Sequence, residues 1–360
     1  MKYLFIVQGE GRGHMTQAIT LSEMLRKNGH EVCEVLVGKS KNREIPDFFK
    51  EKIGARVRYF DTLSFRMKKN KKHIHLVKTI LYNTTPGRIK NYLASIEKIH
   101  KRIEKTNPDV VVNFYEILCG LTNIRYRENV PFINIGHQFL LNHPDYQFGK
   151  SEEQGYMFLR LHAILNKIGA TKTLALSFYP LKDYLPERIA VVPPLLRKEV
   201  TEIKAGHQEH ILIYMVNHGY EEEIKEWHKK NPEVKIICFW DKKNAPAELR
   251  IDNTLSFFTI NDEMFLNYMA TCKGYVSTAG FESICEAFYL AKPVMVIPSH
   301  MEQEVNAADA ESTGKAIANH SFDMNKFMEK IASFPAETDT FKQWVNAAEE
   351  IFIRHLTTFV

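Results

Sequence analysis

Short β-branched runs alternate with helical-period stretches along nearly the whole chain, and the alternation stops once, near the middle, before starting again. Residues 2–8 (KYLFIVQ) read as a strand, 15–28 as a helix and 31–37 (EVCEVLV) as a strand. The pattern continues through 57–60, 110–114, 132–136 and 174–178, then breaks at Val191-Val192-Pro193-Pro194. A polar stretch, RKEVTEIKAGHQEH, follows, and a second cycle opens with ILIYMV at 211–216. It runs on through 235–240, 254–258, 274–278 and 293–298. Strands that alternate with helices predict parallel sheets, because a parallel connection needs a crossover and the crossover helix covers the sheet. The expected fold class is α/β, with two Rossmann-like domains. At 360 residues the chain is too long for one ordinary core and comfortable as two.

The Pro-Pro step and the polar stretch place the domain boundary near residue 200, giving an N-terminal domain over 1–199 and a C-terminal one over 200–336. Residues 337–360 are expected to hold a C-terminal helix that packs back on the N-terminal domain. Its apolar positions are Phe341, Trp344, Val345, Ala348, Phe352 and Ile353.

Composition narrows the partners. The net charge of +5 suits an anionic ligand, but the excess is not gathered into a long basic face, so nucleic acid is not expected. No run approaches the roughly 20 apolar residues of a membrane span, and MKYLFIVQ is too short for a signal-peptide core. Five cysteines (33, 119, 238, 272, 285) are widely spaced without a C-x-x-C, and read as buried free thiols in a reducing cytosol.

In open parallel sheets ligands bind at the carboxyl ends of the strands, so the loops after strands matter most. The first is GEGRGH (9–14). A dinucleotide fingerprint needs G-x-G-x-x-G and an acidic residue closing the second strand; here the spacing is G-x-G-x-G and the second strand ends Val37-Gly38-Lys39-Ser40. No Lys-Ser/Thr follows the last glycine, so the Walker pattern fails too. His14 falls in the first turn of the next helix, whose positive end disfavours imidazolium. It is then neutral near pH 7 and able to accept a proton, or it simply caps the turn. Gly11 and Gly13 leave side-chain-free room beside it.

The second informative passage is STAGFESICEAFYLAKPVMVIPSHMEQEVNA (277–307). A strand ends at Ser277-Thr278, Ala279-Gly280 make a tight turn, and a helix follows with its apolar face at Phe281, Ile284, Cys285, Phe288 and Tyr289. Such a helix start is a seat for a diphosphate, since free N–H groups and the dipole both favour an anion. Glu286, one turn deeper, suits ribose hydroxyls, and Glu302-Gln303 after the next strand suit sugar hydroxyls. An ordinary helix with solvated glutamates is the alternative.

The two passages together resemble GT-B glycosyltransferases. GEGRGHMTQAITLSEMLRKNGHEV is similar to the opening of the lipid-II-forming N-acetylglucosaminyltransferase and of secondary-metabolite UDP-sugar transferases. It is most similar to bacterial and archaeal members beginning GEGRGH. Gly280, Ser283, Glu286, Pro293, Pro298, Glu302, Gln303 and Asn306 fall where the donor signature of that superfamily has them. The resemblance implies two domains facing a central cleft, the first binding acceptor and the second the nucleotide sugar. It implies that His14 is the general base, that Glu286 binds the ribose, that Glu302 and Gln303 bind the sugar, and that the helix at Gly280 binds the diphosphate.

Two residues depart from the pattern. Thr278 stands where relatives carry histidine or arginine, and Glu282 brings a negative charge close to the expected diphosphate. His218, after the first strand of the second domain, is a candidate replacement donor. Glu116, after the strand 110–114, either orients His14 or caps its own helix. His137, after 132–136, is a candidate acceptor contact.

No D-x-D triplet occurs, and Thr278 occupies the first position of the E-x7-E of retaining enzymes. The expected reaction is therefore an inverting, metal-independent hexosyl transfer with no cofactor beyond the nucleotide-sugar donor. The histidine pairs His73-x-His75 and His207-x-x-His210 lack nearby carboxylate or thiolate partners and read as solvated loops rather than metal sites. The acceptor is a glycan, lipid-linked or small-molecule hydroxyl, as in the making of cell-envelope glycans. The basic run from Arg66 to His73 reads as a solvated loop or as peripheral contact with an anionic membrane at its inner face. A GT-B epimerase or hydrolase of sugar nucleotides and a noncatalytic sugar-nucleotide-binding protein are the rival readings.

Overall fold

The computed structural model describes residues 1–40, 43–64, 66, 75–150, 153–215, 218–242, 244–334 and 339–358. These divide into two compact units. The first comprises Met1–Arg66, His75–Arg197 and Gln343–Val360. Its strands are β1 (Lys2–Gln8), β2 (Glu31–Lys39), β3 (Val57–Asp61), β4 (Val110–Phe114), β5 (Phe132–Gly136), β6 (Lys172–Leu176) and β7 (Ile189–Val192). They form one parallel sheet in the order β3-β2-β1-β4-β5-β6-β7. Every residue of β4 and β5 is buried, as two-sided cover demands, which is why VVVNF and FINIG read as unbroken apolar runs rather than alternating ones.

The connecting helices are α1 (Arg12–Lys27), α2 (Asp47–Lys52), α3 (Leu76–Asn83), α4 (Pro86–Thr106), α5 (Ile117–Tyr126) and α6 (Gln154–Lys167). α4 starts with proline, whose missing N–H has no partner to lose there, and ends at Asn107 in the left-handed conformation. Its residues Tyr92, Ile96, Ile99 and Ile103 share one face and join Leu4, Ile6, Leu36 and Val111 in a single core. Asn113 and Asn134 lie opposite each other in β4 and β5, and Asn113 Nδ2 donates to Asn134 Oδ1 at 3.0 Å. Asn113 Oδ1 then accepts from the backbone N–H of Glu116 at 2.9 Å, so this buried polar pair fixes the turn at which a site residue sits.

The second unit is built from Lys198–Lys342. It holds β8 (Ile211–Met215), β9 (Ile236–Trp240), β10 (Glu248–Arg250), β11 (Leu255–Thr259), β12 (Gly274–Ser277), β13 (Val294–Val296) and β14 (Ala316–Ala318). Their order is β10-β11-β9-β8-β12-β13-β14, parallel except for the β10–β11 hairpin at one edge. Helices α7 (Lys198–Glu202), α8 (Glu221–Lys230), α9 (Asp262–Thr271), α10 (Phe281–Tyr289), α11 (Met301–Ser312) and α12 (Asn325–Lys330) complete it. The two α/β domains with parallel sheets expected from the sequence are present.

The polar stretch after residue 197 is not a free linker. It begins with α7, and the backbone N–H groups of Gly206 and Gln208 donate to Ala270 and Thr271 at 2.8 and 2.7 Å. The buried Lys292 ammonium donates to the carbonyls of Gly206 and Cys272 at 2.6 and 3.0 Å, tying this stretch to the unit. His210, expected in a solvated loop, is buried with Nε2 on Tyr268 O at 3.0 Å. The single C-terminal helix expected over 337–360 is two helices, α13 (Asp339–Asn346) and α14 (Ala348–Thr357), separated at Ala347. The Trp344 indole donates to Ser177 O at 3.0 Å, and the Tyr3 hydroxyl donates to Leu356 O at 3.1 Å. Phe352 and Leu356 are fully buried.

All five cysteines are free; four are buried and Cys33 is partly so. Among the described residues no helix is long and apolar enough to cross a membrane.

Candidate functional site

Candidate site residues lie at the carboxyl edge of each sheet, and each set is described within its own unit. In the first, Gly9 N–H donates to Gly38 O at 2.8 Å and Glu10 accepts from the N–H of Ser40 at 2.7 Å, strapping the glycine loop to the end of β2. The glycines differ in what they permit. A Cβ at Gly9 would lie 2.7 Å from Gly38 O, so this position needs glycine for close approach. A Cβ at Gly11 would meet nothing within 4 Å, so the loop is open on that side. Gly11 is the N-cap of α1, which starts three residues earlier than expected and makes Gly13 and His14 its second and third residues.

His14 is 9% exposed. Its Nδ1 lies 3.2 Å from Gln17 Oε1, one turn along α1, and its ring stacks on Tyr115 with centroids 5.8 Å apart. With Gln17 turned to accept, Nδ1 carries the proton and Nε2 is the basic nitrogen. Tyr115 has φ +58°, a left-handed conformation that costs a bulky residue about 1–2 kcal/mol and is held by its surroundings. Its hydroxyl lies 3.1 Å from His162 Nδ1, and its ring edge meets Phe139 at 5.2 Å. Gln17 and Tyr115 were missed by motif reading. Gln17 was within reach of it, since residues three apart share a helix face; the strained turn at Tyr115 has no sequence signal.

Glu116 is the most unusual group here. Its carboxylate is buried, accepts from Thr62 Oγ1 at 2.6 Å and caps α5 by accepting from Leu118 N–H at 3.2 Å. Oε2 has no hydrogen-bond partner among the described residues, and it stands where a Cβ at Gly38 would come within 2.3 Å. Burial pushes the carboxyl up to about 7, the Thr62 and Leu118 bonds pull the other way, and the Glu10 carboxylate adds to the rise. Of the two roles open to Glu116, capping is the one this geometry displays; no hydrogen bond joins it to His14 among the described residues. His137 follows β5, buried, with Nδ1 donating to Leu176 O at 2.8 Å, which leaves Nε2 as its acceptor nitrogen.

In the second unit β12 ends at Ser277, and the turn into α10 passes through Thr278, Ala279 and Gly280. The left-handed residue of this turn is Ala279, with φ +61°, while Gly280 has φ −72° and is the N-cap. Asn306 Nδ2 donates to Ala279 O at 3.1 Å and holds the strained peptide. The start of α10 thus meets the strand end in the arrangement that suits an anion. Thr278 is 1% exposed, and its Oγ1 has no hydrogen-bond partner among the described residues. Ser283 Oγ donates back to Gly280 O at 3.2 Å. Glu282 lies in the first turn, partly exposed, and Glu286 is buried one turn on.

Beside it, β13 leads into α11, whose first turn carries Glu302 and Gln303. The Gln303 amide oxygen accepts from Ser299 N–H and Oγ at 2.9 and 2.7 Å, so that end of the side chain is engaged in the loop. His218 opens a short 3-10 turn after β8; its side chain lies outside the described residues. The Lys68–His73 part of the basic run also lies outside them. No group of three or more His, Cys, Asp or Glu side chains arranged to hold a metal ion occurs among the described residues.

A family profile described as "Glycosyl transferase family 1" matches residues 1–336. No curated protein sequence matches the chain. Among solved structures, the chain is similar to Phytolacca americana UGT2 complexed with UDP-2fluoro-glucose and pterostilbene, with a TM-score of 0.66, 10% identity, and 99% of each chain covered. The glycotransferase of kitacinnamycin gives 0.64 at 13% identity, with 98% of each chain covered. The spinosyn rhamnosyltransferase SpnG, complexed with thymidine diphosphate, gives 0.59 at 13% identity over 99% of this chain and all of that one. These likenesses extend over both units and show a GT-B fold.

Proposed function

The chain belongs to glycosyl transferase family 1, and from that premise we propose that it transfers a hexosyl group from a UDP-linked sugar to an acceptor hydroxyl, with inversion and without a metal. The observation that carries this reading is His14: near the start of α1, beside an open glycine loop, held through Nδ1 by Gln17 and through its ring by Tyr115. Nε2 takes the acceptor proton as the oxygen attacks the anomeric carbon, and such help is worth about a hundred- to ten-thousandfold in rate. The bond from that carbon to the diphosphate oxygen breaks in the same displacement. The leaving diphosphate is stabilised by the N–H groups and dipole at the start of α10, preorganised where charge develops.

Glu286 binds the ribose, and Glu302 with the amide nitrogen of Gln303 binds the sugar. The unpartnered Thr278 hydroxyl is a donor for the diphosphate in place of a charged side chain. Gly11, Gly13 and His137 contact the acceptor, which is a glycan, a small-molecule or a lipid-linked hydroxyl, the last reached at an anionic membrane surface. Glu116, between its cap and its pKa near 7, sets the electrostatics behind the loop. UDP as carrier is favoured by the neighbour complexed with a UDP sugar, while the one complexed with thymidine diphosphate keeps TDP as the next candidate.

The first test is thermal stabilisation by nucleoside diphosphates and sugar nucleotides. A ligand at a hundred times its dissociation constant adds about 2.7 kcal/mol, which shifts a melting curve visibly. Stabilisation by UDP or its sugars supports the donor assignment, and none by any nucleotide removes it. Glu282 in the first turn of α10 favours a second reading, a noncatalytic sugar-nucleotide-binding protein. Tight binding without turnover and indifferent to His14→Ala would select it, whereas donor turnover without acceptor would select an epimerase or hydrolase.

A further inference from the structure

Helix α3 is amphipathic the wrong way round. Among the described residues its buried side chains are polar: Thr79 is 6% and Asn83 9% exposed. Asn83 Nδ2 donates to Ser64 O and Thr79 O at 3.0 and 2.8 Å, and its Oδ1 accepts from Tyr92 OH at 2.6 Å. Thr79 Oγ1 accepts from Arg66 N–H at 2.9 Å. The guanidinium groups of Arg66 and Arg88 lie over the Tyr82 ring, 3.5 and 4.4 Å from its centre. These bonds fix the rotation of the helix, and the rotation they fix turns Val77, Ile80 and Leu81 outward at 60%, 44% and 64% exposure.

The first turns of α4, which follow after Thr84 and Thr85, add Ile89 and Leu93, four apart on one face and each close to half exposed. Rolling α3 over to bury its apolar face would strand the Asn83 and Thr79 bonds, so the exposure is built in rather than incidental. Scattered exposed apolar residues need no explanation, but a whole helix face does.

The charge of this segment of the sequence selects the occupant. Between Asp61 and Glu97 the sequence has eight lysines and arginines and no carboxylate. Two of them, Lys78 and Lys90, are exposed on α3 and α4 themselves. An apolar helix face within a segment of one positive sign is the composition of an element that lies in the headgroup region of an anionic bilayer. We infer that α3 and the start of α4 form a membrane-docking face for anionic phospholipid, inserting Val77, Ile80 and Leu81 while Lys78 and Lys90 meet the headgroups. This deepens the membrane-surface reading above by assigning the contact to one element, and it is independent of donor chemistry.

The test is co-sedimentation of the full chain with phosphatidylcholine vesicles, with and without phosphatidylglycerol, at low and high salt. Wild type should bind the vesicles containing phosphatidylglycerol, more weakly in high salt. Val77→Ser with Leu81→Ser, and separately Lys78→Glu with Lys90→Glu, should each lower that binding about tenfold or more with an unchanged melting temperature. Variants that bind as well as wild type would overturn the assignment to α3, and absence of wild-type binding would overturn membrane contact altogether. A dimer seen by light scattering and dissolved by the serine variant would show a second copy covering the face, which also overturns the lipid assignment. Nucleotide stabilisation, measured separately, would be untouched by any of these results.

Discussion

His14 and Glu116 sit at adjacent strand ends, yet the chemistry asked of them differs. Replacing His14 by alanine removes the proposed basic nitrogen and leaves α10, in the other unit, unaltered. Turnover should fall by at least about a hundredfold with little change in donor affinity, read from kcat and from nucleotide titration; equal loss of both would rule out the base. Glu116 carries a prediction in pH. Folding lifts its pKa from 4.5 to about 7, so the folded chain favours the protonated form. Its contribution to stability is therefore complete below pH 4.5 and is lost as pH rises through about 7. Glu116→Gln keeps the size and removes the titration. Relative to this variant, wild type should lose about 2–3 kcal/mol between about pH 5 and pH 8. A difference in melting temperature that stays constant over that range would contradict the burial argument. The neighbouring Gly38 is bound to the same outcome, because any side chain there collides with the Glu116 carboxylate.

At the level of elements, α10 concentrates the donor chemistry. Glu286→Ala should weaken nucleotide binding by about 1–3 kcal/mol, measured by calorimetry, with the rate at saturating donor changed far less; unchanged affinity would remove Glu286 from the ribose. Much of this architecture was legible in the sequence. The central strands are long apolar runs because both their faces are covered, and each was read within a residue or two. Three strands were not. β10 and β14 are three residues long, too short for a period, and β7 lies where Pro193 and Pro194 suggested that the pattern had already ended. The positions of His14 and Gly280 followed from glycine spacing. What glycine spacing does not contain is the left-handed turn at Ala279, held by Asn306 27 residues on, or the stacking of Tyr115 on His14. Nor does helical period disclose that α3 buries its polar face, because that depends on partners at Ser64, Arg66 and Tyr92.

For the molecule as a whole, α14 and the second half of α13 belong to the unit that the N-terminus begins. Lys27 pairs with Glu349 at 2.7 Å, and Lys172 donates to Thr358 O at 3.1 Å, but these exposed contacts are minor beside the burial of Phe352 and Leu356. Truncation after Lys342 removes both of those side chains and the Trp344 anchor. It should lower the melting temperature of the first unit by well over the roughly 4 °C expected from a single kcal/mol, while nucleotide stabilisation of the second unit persists. A truncated chain that melts like the full one would show the helices to be dispensable. The same arrangement has a consequence for biosynthesis. A ribosome delivers Lys198–Lys342 as one uninterrupted stretch, whereas the first unit waits for residues made after that stretch. The nascent chain can therefore complete its second-made unit while the first-made one still lacks the side chains of Phe352 and Leu356 that fill its core.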